Sequence, residues 1–204
     1  ITITPVGSYV AAAWSFNEKA QVDFDPNGTF ATDVESALAE LTETTACAII
    51  ATLTQSLSQA GADAVMLRQG LARLAANTNG TALVGTANNL YGLFSTTQLP
   101  NLQAIPEVNS AQLRGDSENP YVKGVWVNGF GFLLVLSTVV LQDGNGWHNC
   151  LFTPDAFVAG WNVKSELDRS QVELNYRIIA ANNVGFSVKR DLNAIDMRTT
   201  ASAA

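Results

Sequence analysis

The stretch that most constrains this chain is residues 123–157, KGVWVNGFGFLLVLSTVVLQDGNGWHNCLFTPDAF. Residues 124–142 carry no charge over 19 positions, which raises the question of a membrane-spanning helix. The composition argues against one. Gly124, Asn128, Gly129 and Gly131 interrupt the run, Val, Phe and Trp enrich it, and no cluster of Lys or Arg flanks it. The pattern predicts buried strands instead. One covers residues 130–142, a turn follows at Asp143-Gly144-Asn145-Gly146, and a return strand covers 147–152. Thr153-Pro154-Asp155 then reads as the start of a helix over about 154–162.

The rest of the chain is packed around this unit. Its 204 residues suit one domain, with or without a subdomain. Charged residues make up 14%, against about 25% in an average soluble chain. A neutral surface costs less to desolvate against a partner than a charged one. The net charge of −7 is unevenly placed: residues 20–67 hold seven acids and no Lys or Arg, and the remainder holds 11 of each sign. This excludes a basic nucleic-acid-binding face and predicts a solvated acidic helix face.

The chain begins Ile-Thr-Ile-Thr with no Met and no secretory leader pattern, so either processing removed an N-terminus or the first residues are absent from the sequence. Residues 1–6 alternate as a short strand, and 9–24 read as an extended arm or hairpin. Trp14 and Phe16 in that arm either fold back onto the core or pack on a neighbouring subunit. Asp25-Pro26-Asn27-Gly28 reads as a turn. Thr32 and Glu35 form a capping box, with early acids at the positive helix end. Val34, Leu38, Leu41, Thr45, Ile49, Leu53 and Leu57 then form one stripe of a helix to about Gln59, on the order of 40 Å long. A second helix covers 62–76, with Val65, Leu67, Leu71 and Leu74 inward and Arg68 and Arg73 outward. A short helix is expected around 87–93 and a loop-rich region over 100–120. Strands at 171–181 and 183–189 are joined by a turn at Asn182-Asn183, and a short strand covers 195–198 before a frayed tail at 199–204.

Signals of chemistry are weak. His148 is the sole histidine, and Cys150 shares its face two residues along a strand. A catalytic thiolate needs an electropositive, accessible setting, and residues 124–163 hold no Lys or Arg. The simpler reading is a hairpin histidine beside a buried free thiol, with Cys47 a second buried thiol. One His and two Cys make no zinc pattern. Asp23, Asp25 and Asn27-Gly28 resemble a calcium loop, but Val34 stands where its bidentate Glu belongs. Gly129-Phe130-Gly131 precedes a strand and lacks the third glycine of a dinucleotide fingerprint. Glu166 with Asp168, and Asp191 with Asp196, lie among Lys164, Arg169, Arg190 and Arg198 and read as surface salt links.

The order of these elements resembles the major capsid proteins of tailed bacteriophages, the Hong Kong ninety-seven phage fold. The matching residues are 127–137 (a Gly-containing strand entering F-G-F…L-S), 143–146 (D-G-N-G), 151–157 (L-F-T-P-D-A-F) and the closing strands over 176–198. The resemblance implies an α+β capsid-type fold over residues 1–204. Its parts are an extended N-terminal arm at 1–28, a spine helix and peripheral region at 29–80, a loop-rich region toward an axial subdomain at 81–122, and central strands, helix and closing strands at 123–204. It implies a structural shell protein, not an enzyme, with no cofactor and no metal. Copies would form pentamers and hexamers of an icosahedral shell around double-stranded DNA, without sequence-specific binding and without a membrane. Cement or scaffolding proteins would be further partners, and assembly would take place in the host cytoplasm to give the virion. Trp14, Phe16, Lys19 and Phe24 become the expected subunit contacts. An encapsulin-like compartment around a protein cargo shares the fold. The reading from another class is a small cysteine-dependent hydrolase using Cys150 and His148.

Overall fold

The computed structural model describes residues 6–15, 26–78, 90–109, 125–127, 132–166 and 175–200. The chain forms two compact units, one from Ile1–Ala46 with Ala159–Ser187 and one from Cys47–Val158 with Val188–Ala204.

Among its described residues, the first unit holds a three-stranded sheet and a long helix. Strand β1 is Val6–Ser15, β8 is Phe157–Glu166 and β9 is Asn175–Val188, in the order β1-β9-β8. β1 runs antiparallel to β9, from Val6 opposite Val184 to Ser15 opposite Asn175. That pairing replaces the hairpin expected at Asn182-Asn183. The two asparagines lie opposite Ser8 and Gly7, so their backbone groups bond across to β1 and the strand runs on for 14 residues. The expected arm or hairpin therefore contains a sheet strand, and residues 16–25 of it lie outside the described residues.

Helix α1 spans Pro26–Ala48, about 35 Å. Proline suits a first helical position because its missing N–H has no intrahelical partner there. Pro26 thus opens the helix where a turn was expected, Thr32 lies inside it and is not its cap, and no acid falls in its first turn. Thr42, Thr44 and Thr45 each donate a hydroxyl to the carbonyl four residues back. Their polar atoms are spent on their own helix and their methyls remain for contact. The expected stripe is poorly covered: Leu38 and Thr45 are half-buried and Leu41 is 39% exposed.

The helix stops earlier than its stripe. After a 3-10 turn at Ile49–Thr52, Leu53 is extended and β2 forms at Ser56–Gln59. Leu53 and Leu57 fit helical spacing, but Ser-Leu-Ser-Gln also alternates with period two, and an available strand partner decides between the periods.

The second unit is built on a mixed sheet. Its further strands are β3 (Tyr91–Ser95), β4 (Val125–Val127), β5 (Leu133–Ser137), β6 (Gln142–Asp143), β7 (Gly146–Phe152) and β10 (Ala194–Thr199). The order is β2-β10-β7-β3-β5-β4, with β6 paired to β7. β10 runs parallel to β2 and antiparallel to β7, while β3 runs parallel to β5 and antiparallel to β7. Where it is described, the uncharged run forms strands β4 and β5 and no helix, and none of the described helices is long and apolar enough to cross a membrane. Its long strand is only five residues, and it does not pair with the return strand, because β3 lies between them. The short helix expected around 87–93 is that intervening strand from Tyr91 on. Gly92 lets Phe132 lie on the sheet there, since a Cβ would come within 2.7 Å of its ring.

One face of this sheet packs on helices α2 (Ala64–Asn77), α3 (Leu99–Gln103) and α4 (Pro106–Asn109). The last two lie in the span expected to be loop-rich, of which residues 110–120 are outside the described set. Asp63 caps α2, accepting the amide of Met66 at 2.7 Å. The helix turns inward Met66, Leu67, Gly70 and Leu74, and leaves Val65, expected inside, 51% exposed. Phe94, Phe132, Leu134, Leu151, Ile195 and Met197 meet it from the sheet. On the sheet's other face a smaller cluster gathers Ile50, Leu53, Cys150, Ala156 and Ala194.

The helix expected from Pro154 is absent. Ala156 donates to the Thr153 carbonyl at 2.9 Å, which closes a tight turn, and β8 begins at once. Thr-Pro-Asp resembles a helix start, but Phe157, Val158, Trp161 and Val163 then favour strand.

Candidate functional site

The residues singled out for chemistry meet on the second face of the sheet, at the β6–β7 hairpin and β10. Asp143-Gly144-Asn145-Gly146 makes the expected turn. Asp143 pairs with Gly146, and the Asp143 carboxylate accepts the amide of Asn145 at 2.6 Å. Gly146 has φ +110°, and an added Cβ would lie 2.2 Å from the Thr199 carbonyl, so only glycine fits.

Beyond the turn, β7 alternates its side chains. Trp147, Asn149 and Leu151 share one face, and His148, Cys150 and Phe152 the other. The register sets Arg198 opposite His148 and Asp196 opposite Cys150. His148 Nδ1 donates to Asp196 Oδ2 at 2.9 Å, and Arg198 Nε donates to the same oxygen at 2.6 Å. His148 Nε2 lies 3.0 Å from Asp143 Oδ2, an ion-pair contact whose N–H direction is off the line a hydrogen bond requires. His148 and Asp196 are fully buried, Arg198 is partly covered, and Asp143 reaches solvent.

Two expectations change here. Asp196 and Arg198 are not a surface salt link but one end of a largely buried chain of contacts that runs carboxylate, imidazole, carboxylate, guanidinium. Asp191 is not paired with Asp196; it holds the amide and hydroxyl of Thr54. Sequence reasoning missed Asp196 because one carboxylate in Ala-Ile-Asp-Met-Arg-Thr looks like the solvent face of an alternating strand. β10 has neighbours on both edges and cover on both faces, so Asp196 is buried with the rest of the strand and only Arg198 is partly open to water.

The electrostatics oppose nucleophilic catalysis. Burial pushes the Cys150 thiol well up, and the nearby Asp196 carboxylate pushes it further. An activated thiol needs the reverse, a cationic and accessible setting. His148 has one ring nitrogen bonded to Asp196 and the other facing Asp143, which leaves no base for Cys150. Asp143 is held below its ordinary range, first by the Asn145 amide and then by His148. Cys47 and Cys150 are both buried, and they form no disulfide with each other.

Of the expected subunit contacts, Trp14 lies in β1 opposite Tyr176. Phe16, Lys19 and Phe24, like the Asp23–Asp25 feature, fall outside the described residues.

No protein-family model matches this chain, and no curated protein does. Solved structures do. One from Mycobacterium phage Che8 is 18% identical, with a TM-score of 0.73 over 97% of this chain and 72% of that one. The capsid of Ralstonia phage GP4 is 10% identical, with a TM-score of 0.75 over 98% and 74%. A virus-like particle from Pyrococcus furiosus is 12% identical, with a TM-score of 0.61 over 95% and 77%. The α+β fold that the sequence resemblance implied is thus the fold this chain adopts, shared with phage capsid structures.

Proposed function

We propose that this chain is a structural shell protein that assembles with copies of itself into an icosahedral capsid enclosing double-stranded DNA. The observation that carries this is a likeness to the Ralstonia phage capsid extending over 98% of the chain. The low charge supports it, as does α1, whose Leu38, Leu41 and Thr45 stripe is left half-covered for a neighbouring copy.

In this reading residues 1–28 are the arm, 29–80 the spine and peripheral region, 81–122 the part toward the axis, and 123–204 the central and closing elements. Trp14, Phe16, Lys19 and Phe24 contact neighbouring subunits. The protein performs no reaction, binds no cofactor, assembles in the host cytoplasm and ends in the virion. Cement or scaffolding proteins join it there.

Negative-stain microscopy of the concentrated purified chain tests the reading. Icosahedral particles, or pentamers and hexamers, are the expected result, and a compact monomer at every concentration removes it. Particle contents then separate the two uses of the fold. Nucleic acid supports the capsid, whereas a protein cargo supports the encapsulin-like compartment, which the likeness to a virus-like particle keeps in view.

A further inference from the structure

The second unit holds charge where it has little water. We propose that Asp143, His148, Asp196 and Arg198 form a latch that ties β6 and its turn, through β7, to β10 and releases β6 and the turn in acid. The four groups alternate in type along the chain of contacts: carboxylate, imidazole, carboxylate, guanidinium. Three belong to strands within the sheet, and the fourth, Asp143, stands on the hairpin and is the member that solvent reaches.

The surroundings leave this chain of contacts self-contained. β7 brings Cys150 beside it, with Cys47 near that thiol. β2 sets Ser56 and Ser58 opposite Asp196 and Arg198, and β3 sets Leu93 opposite Cys150, all three uncharged. The hairpin has few other holds. β6 is two residues long, and nothing lies within 4 Å of where a side chain at Gly144 would begin. Near the turn, β6 is also held by the His148 amide bonded to the Leu141 carbonyl at 2.9 Å and by the pairing of Gln142 with Trp147, while Gly146 and Trp147 sit against Thr199 on the β7 side.

Asp143 makes the latch directional. Its carboxylate holds the Asn145 amide and faces His148, and both contacts favour the ionised form. A carboxylate so depressed stabilises the fold at pH above its ordinary value near 3.9 and loses that contribution as the pH falls through its lower folded value. A proton from solvent on Asp143 therefore weakens the turn and the contact to His148 together. Asp196 keeps its two donors inside the sheet, so β6 and the turn open and the sheet stays.

Amide hydrogen exchange on the purified chain tests this, with rates corrected for the intrinsic effect of pH. Between about pH 6 and about pH 2, protection of the Asn145 and His148 amides is expected to fall roughly severalfold. The Leu133 amide, bonded to the Leu90 carbonyl in mid-sheet, is expected to keep its protection. Asp143→Asn should show the loosened hairpin already near pH 6, with no further step in acid. Unchanged hairpin protection in acid, wild-type protection in the variant, or simultaneous opening at Leu133 would each overturn the latch. None of these readings depends on whether the chain assembles.

Discussion

Asn149 Oδ1 accepts the backbone amide of Ser95 at 2.8 Å, just past the point where β3 and β7 cease to pair at Leu93 and Cys150. A side chain thus continues a ladder that the two backbones leave off. The same amide group donates to the Met197 carbonyl and the Thr199 hydroxyl, so one buried residue ties β7 to both flanking strands. Asn149→Ala strands the Ser95 amide inside the protein. We expect a loss of about 2–4 kcal/mol in urea unfolding. Asn149→Asp is not expected to recover it, because the donors are missing and a carboxylate would face the Met197 carbonyl.

Gly146 faces the Thr199 carbonyl with no room for a methyl group, in a conformation that L side chains rarely adopt. Gly146→Ala should cost about 3 kcal/mol or more. Gly144, with open space around it, should accept alanine with a far smaller change. Paired denaturation midpoints for the two variants check this, and equal losses would contradict the geometry.

Cys150 reports on solvent access. A thiol reagent should modify neither Cys150 nor Cys47 in the native protein, and labelling should track unfolding. The burial that raises the Cys150 thiol also fixes an alkaline slope. Stability is intact below the unfolded thiol value of about 8.5 and falls as the pH rises above it toward the higher folded value. Cys150→Ala should lose that part of the slope. Fast labelling of native Cys150 would revive the hydrolase reading.

Phe94 and Val65 are both apolar, but they face opposite environments. Phe94 is wholly enclosed between sheet and helices, and Val65 is half exposed on α2. Phe94→Ala should cost about 3–5 kcal/mol. Val65→Ala should stay within about 0.5 kcal/mol. Thermal unfolding of the two variants separates them.

What could be read from the sequence was local. Asp-Gly-Asn-Gly closes a hairpin because its backbone needs are met within a few residues, and α2 keeps its helical period. What failed depended on distant partners. Residues 56–59 looked helical until β10 was known to lie beside them. Asn182 and Asn183 looked like a turn until β1 was known to supply opposite rungs. The insertion of β3 between β5 and β7 has no sequence signature. At the site, His148 beside a buried Cys150 was legible from alternation alone. Asp196 was not, because burial of both faces of β10 follows from its place in the sheet.

That place bears on how the molecule is made. β10 lies between β2 and β7, yet it is synthesised after every other described strand of its sheet. In the sheet order β2 has β10 as its neighbour, so a nascent chain that has not reached residue 194 holds β2 without its rung partner and Met197 and Ile195 absent from the core. A ribosome-bound or prematurely ended chain therefore has an open sheet. Closure of this sheet therefore waits for residues 194–199, and copies truncated before them lack the strand that closes it.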